Sequence, residues 1–563
     1  MGLKYSLREI LLGVTSVAFF PAAYILIDFQ QDLPSWCFAD TCIDANRSMQ
    51  PLVRKDLAIF YILLFLTAIT IVLARKSRVI NHFLLKQVFK TSSITIAELG
   101  WFCVLLLTLA ASFGWNINYW WFRRLAKWTK AGKPLSTLVP QTLFNASGDV
   151  LSVILGFVML PVSKNSFLAT FLNLPYTSLM RLHIWLGRFL FCGSVFHGGV
   201  GVVLYIMSSK NLVQTLFIVP AGAVLGSNDY QQVLGIAAFA ILLFVAIMSL
   251  NYFRRHFYNT FFFTHFFVFA FITVAYFHAS STIFFLVPGL CLYTIDGFTR
   301  LSSRFSLDFV SSVIFEECGY ITVTVSTRKV QNARPGQFMR VNIPSISQFE
   351  FHPWSIVRAT DSSVTFLFEA GHIDREWSAK VAEKLKQFDK SSKIAVNLQG
   401  PYGKAIEVTR AAQDLVLFYV GGTGIAASIQ AIDGVLARND ADVDNVGKTK
   451  VVLVWSARRE NITAISLLKP WKNVSRDVLE LELFQTNGSS KVDAKTPAEE
   501  LRMNLTSNLK KHVALDSEST DLNVGVFICG PHGFTKDALR NVSAFAAENP
   551  KLSLEVEVES FNL

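Results

Sequence analysis

Apolar residues run in long, almost unbroken stretches through the first 300 positions and then give way to short alternating segments. The long runs fall at about 9–27, 57–74, 96–115, 146–162, 180–207, 231–250, 260–279 and 282–299. A bilayer core of about 30 Å takes about 20 apolar residues per helix, so each run predicts a membrane span. The fourth is short and ends in LPVSKNS. No small-residue cleavage site follows the first run, which predicts an uncleaved span rather than a removed signal. Eight spans put both termini on one side of the membrane. Past residue 305, YITVTV (320–325) and SVTFLFEAG (363–371) alternate with turns between them, predicting a small antiparallel barrel. From residue 414, the strand-like segments DLVLFYVGG, KVVLVWSARR, VLELELF and VGVFICGP alternate with helical stretches, predicting a parallel α/β sheet. The polar stretch 488–523 reads as a loop insertion. The expected divisions are two N-terminal spans and their loops at 1–95, a six-helix domain at 96–300, a barrel at 301–405 and an α/β domain at 406–563.

Composition supports this division. Of 563 residues 52% are hydrophobic, with 49 Phe, and mean hydropathy is +0.40, which excludes an ordinary soluble protein. The net charge of +11 is spread over loops and reads as membrane orientation, not nucleic-acid binding. Arg75, Lys76, Arg78, Lys86 and Lys90, with Arg254 and Arg255, mark cytoplasmic loops and make the C-terminal region cytosolic. One loop disagrees: residues 116–145 hold Arg123, Arg124, Lys127, Lys130 and Lys133 and fall outside, where they can attract anions. The seven cysteines have no metal-site spacing, and Cys37 and Cys42 lie close enough in an outer loop for a local disulfide. Asn46 and Asn145 begin sequons that would carry glycans on the outside.

Four histidines lie well inside apolar spans. His183 and His197 are fourteen apart in the fifth, and His265 and His278 thirteen apart in the seventh. An ionisable residue inside a membrane is a functional hypothesis by default. Fourteen residues span about 21 Å and return to within about 40° of the starting face. If the two spans run parallel, His183 faces His265 and His197 faces His278, and each pair can hold one haem iron between neutral imidazoles. A zinc site would want clustered ligands instead. Thirteen residues leave His278 about 140° from His265 in a straight helix, so the seventh span must twist or bulge. Arg188, in the fifth span, is a candidate partner for a haem propionate, and Arg181 either does the same or snorkels. His82 and His256 read as solvated loop residues.

The glycine-rich turn GGTG, Gly421 to Gly424 with Thr423, links a strand to a helix, where backbone N–H groups hold phosphate. Arg458 and Arg459 end the next strand, where a guanidinium can bind the 2′-phosphate of NADPH.

Taken in order, HIWLGRFLFCGSVFH, HFFVFAFITVAYFH, HPWS, GPYG, GGTG, CGP and the terminal VESF resemble the ferric reductase and NADPH oxidase superfamily. The likeness covers about 97–563 and is closest to the fungal ferric-chelate reductases. It implies a bis-haem helical membrane domain followed by a ferredoxin–NADP reductase-like module, with FAD, NADPH and two b-type haems as cofactors. It implies flavin contacts at His352, Pro353, Trp354 and Ser355, with Arg340, Gly400 and Gly403 also in the cofactor site. Cys529, Gly530 and Pro531 correspond to the turn beside the nicotinamide, and Phe561 to the aromatic stacked on the flavin. The haem histidines carry over to His183, His197, His265 and His278. The implied activity is plasma-membrane reduction of ferric chelates, extending to cupric ion, for iron uptake, with an iron permease or ferroxidase downstream. The thirteen-residue spacing resembles the oxygen-reducing branch, so a superoxide-generating NADPH oxidase is the alternative. A metal transporter with a nucleotide-sensing domain is the rival from another class.

Overall fold

The computed structural model describes residues 52, 54–63, 66, 96–162, 176–223, 228–279, 281–331, 333–348, 350–370, 377–389, 393–403, 405–409, 413–441, 448–457, 461–485, 505–513, 522–549 and 552–560. The first expected span, the cysteines Cys37 and Cys42, the sequon at Asn46, His82, Arg458, Arg459 and Phe561 lie outside these residues.

The chain divides into a helical unit that reaches Asp296 and a sheet unit that starts at Gly297. In the helical unit, α1 is Ile96–Lys130, α2 Leu138–Met159, α3 Tyr176–Met207, α4 Gln231–Met248, α5 Tyr258–His265 and α6 Phe267–His278. Helix α7, Thr282–Arg304, leads out of this unit. Five stretches among the described residues are long and apolar enough to cross a membrane, and Thr282–Phe298 is a shorter apolar helix. Helix α2 packs along α1 and α3, and α6 along α4. An apolar cluster is built around Phe60, Phe157, Leu186, Phe271 and Phe285, and a buried polar group, Asp56 with Ser112 and Asn116, also links the helices. Small residues allow the closest approach: a Cβ on Gly289 of α7 would lie 2.6 Å from Met159 Cβ on α2.

The third and fourth spans differ from the expected bounds. Helix α1 continues through the basic stretch, and α2 begins at Leu138, so most of 116–145 is helix and not loop. At 35 residues α1 is about 52 Å long, well beyond a bilayer core. Its last turns are held by cation–π contacts, Arg124 lying 5.0 Å from the Trp120 ring centre and Lys133 4.7 Å from that of Trp128. Asn145 sits inside α2, where Gln141 Nε2 lies 3.1 Å from its side chain and Arg124 Nη2 comes within 2.7 Å. That packed amide is not the exposed loop sequon that was expected.

The sheet unit holds a closed antiparallel barrel of order β1-β2-β5-β4-β3-β6. Its strands are β1 Asp308–Phe315, β2 Tyr320–Ser326, β3 Phe338–Asn342, β4 His352–Ala359, β5 Ser363–Glu369 and β6 Ala395–Tyr402. Alternation sends Val323, Met339, Val341, Trp354, Phe366 and Leu398 into one core. The helix α8, Trp377–Lys386, adds Trp377, Val381 and Leu385 to it.

A parallel five-stranded sheet follows, in the order β11-β10-β7-β8-β9. Its strands are β7 Leu415–Gly421, β8 Lys450–Ala457, β9 Leu479–Gln485, β10 Asn523–Gly530 and β11 Ser553–Ser560, with helices α9 Ile425–Ala441, α10 Leu505–His512 and α11 His532–Glu548. The fully buried runs of β7 and β10 mark the centre of a sheet covered on both faces. Strand order reverses between β7 and β10, the doubly wound arrangement whose ligand crevice lies at that switch point. The last strand, β11, was not expected: its pattern SLEVEVES looks half-exposed because it lies at the sheet edge.

Candidate functional site

The four intramembrane histidines meet in two pairs. The rings of His183 and His265 are 6.0 Å apart between centres, and those of His197 and His278 are 6.2 Å apart. The ring planes cross at 76° and 78°. The thirteen-residue spacing is absorbed by a break at Phe266, between α5 and α6. There Phe266 N–H bonds Phe263 O at 3.2 Å and Phe269 N–H bonds Phe266 O at 3.0 Å, three residues back instead of four. Such tightened turns rotate about 120° per residue instead of about 100°, the overwinding that brings His278 round to the face of His265.

Each Nδ1 is tied. His183 Nδ1 lies 3.0 Å from the Val158 carbonyl and His278 Nδ1 2.6 Å from the Gln231 carbonyl. A carbonyl only accepts, so both nitrogens carry the proton. His197 Nδ1 lies 3.0 Å from Ser147 Oγ, whose hydroxyl already donates to Phe144 O. His265 Nδ1 lies 3.3 Å from Ser249 Oγ, whose hydroxyl already donates to Val245 O. Both serine oxygens therefore accept, and all four imidazoles have Nδ1 protonated and a lone pair on Nε2. This is the outer-shell arrangement that orients metal-binding histidines. Metal–nitrogen bonds of about 2 Å, with about 1 Å from each ring centre to its nitrogen, span about 6 Å between ring centres. Both pairs fit a single metal atom held from two sides, as haem iron is.

Arg188 is not on this face. It lies five residues past His183 and nine before His197, about 140° and 180° round α3. Its guanidinium stacks 5.0 Å from the Trp185 ring centre.

The barrel residues divide between two faces. Arg340 pairs in register with Pro353 and Gln399, and Phe338 with Ser355 and Tyr402, so these share the outer face of β3, β4 and β6. On that face Asn397 Oδ1 and Gln399 Oε1 are buried with no hydrogen-bond partner among the described residues. Hydroxyls and an N–H of a flavin nucleotide would satisfy such acceptors, so this face fits FAD. Gly400 (φ +131°) and Gly403 (φ +91°) take backbone angles that only glycine adopts easily, as the irregular register of β3 on β6 requires. The other half of HPWS points inward. Trp354 stacks on Phe368 at 4.5 Å within the barrel core, and His352 stacks on Trp377 at 4.1 Å. Burial holds His352 below the usual imidazole range; Glu350 opposes that shift and Arg340 adds to it. The side chains expected on the flavin are thus split: Pro353 and Ser355 lie on the open face, while Trp354 and His352 build the wall behind it.

At the switch point, β7 ends in Gly421 and a tight turn, Gly422–Gly424, leads into α9. Gly422 has φ +58°, and its carbonyl accepts from Trp455 Nε1 at 2.9 Å. A Cβ on Gly424 would come within 2.8 Å of the Cys529 carbonyl, and one on Gly530 within 3.3 Å of Gly421 N. The GGTG and CGP turns are therefore in contact, with Pro531 opening α11. Such a turn at a helix start fits the phosphates of a dinucleotide. Cys529 is fully buried, and burial pushes its thiol well above the ordinary range.

Several residues that build these sites carry no local sequence signal. Ser147, Ser249 and the Val158 and Gln231 carbonyls touch the histidines only through tertiary packing. Arg358 of β4 joins the barrel to the α/β sheet, its Nε 2.7 Å from Asp433 Oδ2 and its Nη2 3.2 Å from Leu467 O.

One chain thus carries two histidine pairs on apolar helices, a closed antiparallel barrel and a doubly wound parallel sheet. Residues 147–276 match the family of ferric reductase like transmembrane components, and residues 309–406 match an FAD-binding domain. The resemblance read from the motifs is thus shown: a ferric reductase-like transmembrane component stands ahead of an FAD-binding domain in one chain. Ferric reduction oxidase 2 of Arabidopsis thaliana is 25% identical over 354 residues, 62% of this chain and 47% of that protein. Ferric reductase transmembrane component 3 of Saccharomyces cerevisiae is 26% identical over 369 residues, 62% of this chain and 48% of that protein. The chain spans about half the length of these curated relatives. A ferredoxin NADP+ reductase from Neisseria gonorrhoeae, with bound FAD and NADP, has 16% identity and a TM-score of 0.33, covering 45% of this chain and 98% of that one.

Proposed function

We propose that this protein is a transmembrane NADPH-dependent ferric-chelate reductase, moving electrons from the nucleotide on the cytosolic side to a metal outside the cytosol. The paired imidazoles with tied Nδ1 atoms and free Nε2 lone pairs carry this reading. His183 with His265 would hold one b-type haem and His197 with His278 the other. By the loop charges, His183 and His265 form the inner site and the second pair the outer. When bound, FAD converts two-electron hydride chemistry to single-electron transfer, and haem iron carries single electrons.

The chain's own residues position and insulate. Val158, Ser147, Ser249 and Gln231 hold the four ring orientations and fix the proton on each Nδ1, leaving Nε2 as the ligand atom. Arg340, Pro353, Ser355 and Gln399 offer the flavin face, with Gly400 and Gly403 shaping its edge. Gly421 to Gly424 would offer backbone N–H groups to phosphate, and Cys529, Gly530 and Pro531 would close the pocket behind the nicotinamide. Arg458 and Arg459 would favour NADPH over NADH, and Phe561 would cover the flavin. The basic end of α1, with Arg123 and Lys127, draws anionic ferric chelates to the outer surface. The plasma membrane is the expected location and iron uptake the role, with cupric ion a second acceptor.

The test is NADPH-driven reduction by purified, FAD-loaded protein in liposomes, with ferric chelate or air as acceptor. Ferrous product that forms without oxygen and resists superoxide dismutase is expected. Product that needs oxygen and vanishes with the dismutase would make the protein an oxidase. A colourless preparation without a Soret band would point to a transporter instead.

A further inference from the structure

The two histidine pairs differ in what lies against their rings. His197 rests on a single face of α2. Phe144 stacks on it at 4.3 Å and 12°, and Ser147 accepts its Nδ1–H. A Cβ on Gly148 would lie 3.1 Å from its Cε1 and 3.5 Å from its Nδ1. Positions 144, 147 and 148 are spaced i, i+3 and i+4, so one helical turn supplies a stack, an acceptor and a floor. His278 rests on α4 in a similar way. Gln231 O accepts its Nδ1–H, and one turn later a Cβ on Gly235 would lie 2.8 Å from its Cε1. The first pair has no such floor: a Cβ built on any described glycine has neither the His183 nor the His265 ring among its three nearest atoms within 4 Å.

Cε1 lies between the tied Nδ1 and the free Nε2. A methyl group pressed on that carbon must push the ring off its acceptor and swing Nε2 with it. Real Cβ atoms essentially never approach to 2.8 Å, and at 3.1 Å the ring must give by tenths of an ångström. A metal held between two nitrogens feels that motion directly.

We propose that Gly148 and Gly235 are positioning residues of the second histidine pair, seating His197 and His278 so that both Nε2 atoms meet one iron, with no counterpart at the first pair. This rests on the haem-ligation reading above. It predicts that a single methyl on either glycine alters the outer haem and spares the inner one.

The test uses full-length purified protein, wild type beside Gly148→Ala, Gly235→Ala and the control Gly193→Ala. Gly193 shares α3 with His197, but its added methyl would meet Leu151 Cδ2, at 2.8 Å, and no histidine. Haem is counted by its pyridine derivative, and the low-spin electron paramagnetic resonance signals and potentials are recorded for each site. Wild type lacking haem would sink the ligation reading itself. With two haems in wild type, each histidine-facing variant is expected to lose or shift one haem signal, the one that His197→Ala removes, while the control keeps both. Two unshifted haems in both variants would overturn the proposal. So would an equal disturbance of both sites, or the same change in the control. If one variant does not fold, the other, on a different helix, decides the matter; if neither folds while Gly193→Ala does, the glycines serve general packing and the proposal fails.

Discussion

In the helix bundle the chemistry sits on side chains at the centres of helices, aimed by neighbours that touch their rings. In the sheet unit the atoms proposed to meet the nucleotide are largely backbone, at the ends of β7 and β10, aimed by strand order. The histidine sites therefore depend on what each ring touches, and removing one side chain empties a site. The nucleotide turn depends on what is missing, and adding one carbon fills it. Gly424 and Cys529 lie far apart in the sequence, yet a Cβ on the first would stand 2.8 Å from the carbonyl of the second. Helical spacing sets the first kind of site, and topology the second.

The largest effect should come from a side chain in the bundle. His183→Ala should give protein with one haem instead of two, and electron flow to the outside should stop. Retention of both haems by pyridine assay would break the side-chain half of the comparison. Next comes a carbon added in the sheet unit. Gly424→Ala should cost about 1–3 kcal/mol by overpacking against the Cys529 carbonyl. It should lower Tm and weaken NADPH binding while haem content stays unchanged. Equal NADPH affinity in titrations would show that the turn tolerates a Cβ.

A smaller effect tests the joint that aligns barrel and sheet. Arg358 and Asp433 are about a third exposed, at 28% and 33%, so solvent screens their pairing. Arg358→Ala should cost about 1–2 kcal/mol, most of it from the lost bonds to Asp433 and Leu467 O. It should slow flavin reduction with NADPH affinity nearly unchanged, in stopped-flow measurements. A loss confined to affinity would mean that the pair does not set alignment.

The smallest effect is in pH. Burial lowers the His352 value from 6.5, so the unfolded chain takes up a proton before the folded one does. The contribution of His352 is present above about pH 6.5 and is lost as pH falls through that unfolded value, levelling below the folded one. His352→Phe keeps a ring on Trp377 and should flatten that acid-side slope in denaturant titrations between pH 7 and 5. An unchanged slope would place the relevant proton elsewhere.

Much of this was legible along the chain. Apolar length marked the spans, and 3.6-residue periodicity marked the shared face of His183 and His197. The same arithmetic turns Arg188 away from that face, although its position near the histidines suggested a haem contact. HPWS read as one motif, but the period of two in a strand sends Trp354 into the core and Ser355 out. Strand β11 was missed although LEVEVE alternates strictly, because a glutamate at every second position reads as a charged surface segment.

The sequence alone determined what is local: membrane crossings, the helical spacing of ligands, and glycines where the backbone takes positive φ. Those depend on a residue and its near neighbours, whose geometry repeats by rule. Tertiary structure alone decided which Nδ1 meets which acceptor, that Gly148 and Gly235 lie under the second pair, and that GGTG touches CGP. Each of these needs two segments far apart in the chain to come within about 3 Å, a distance set by packing and not by periodicity.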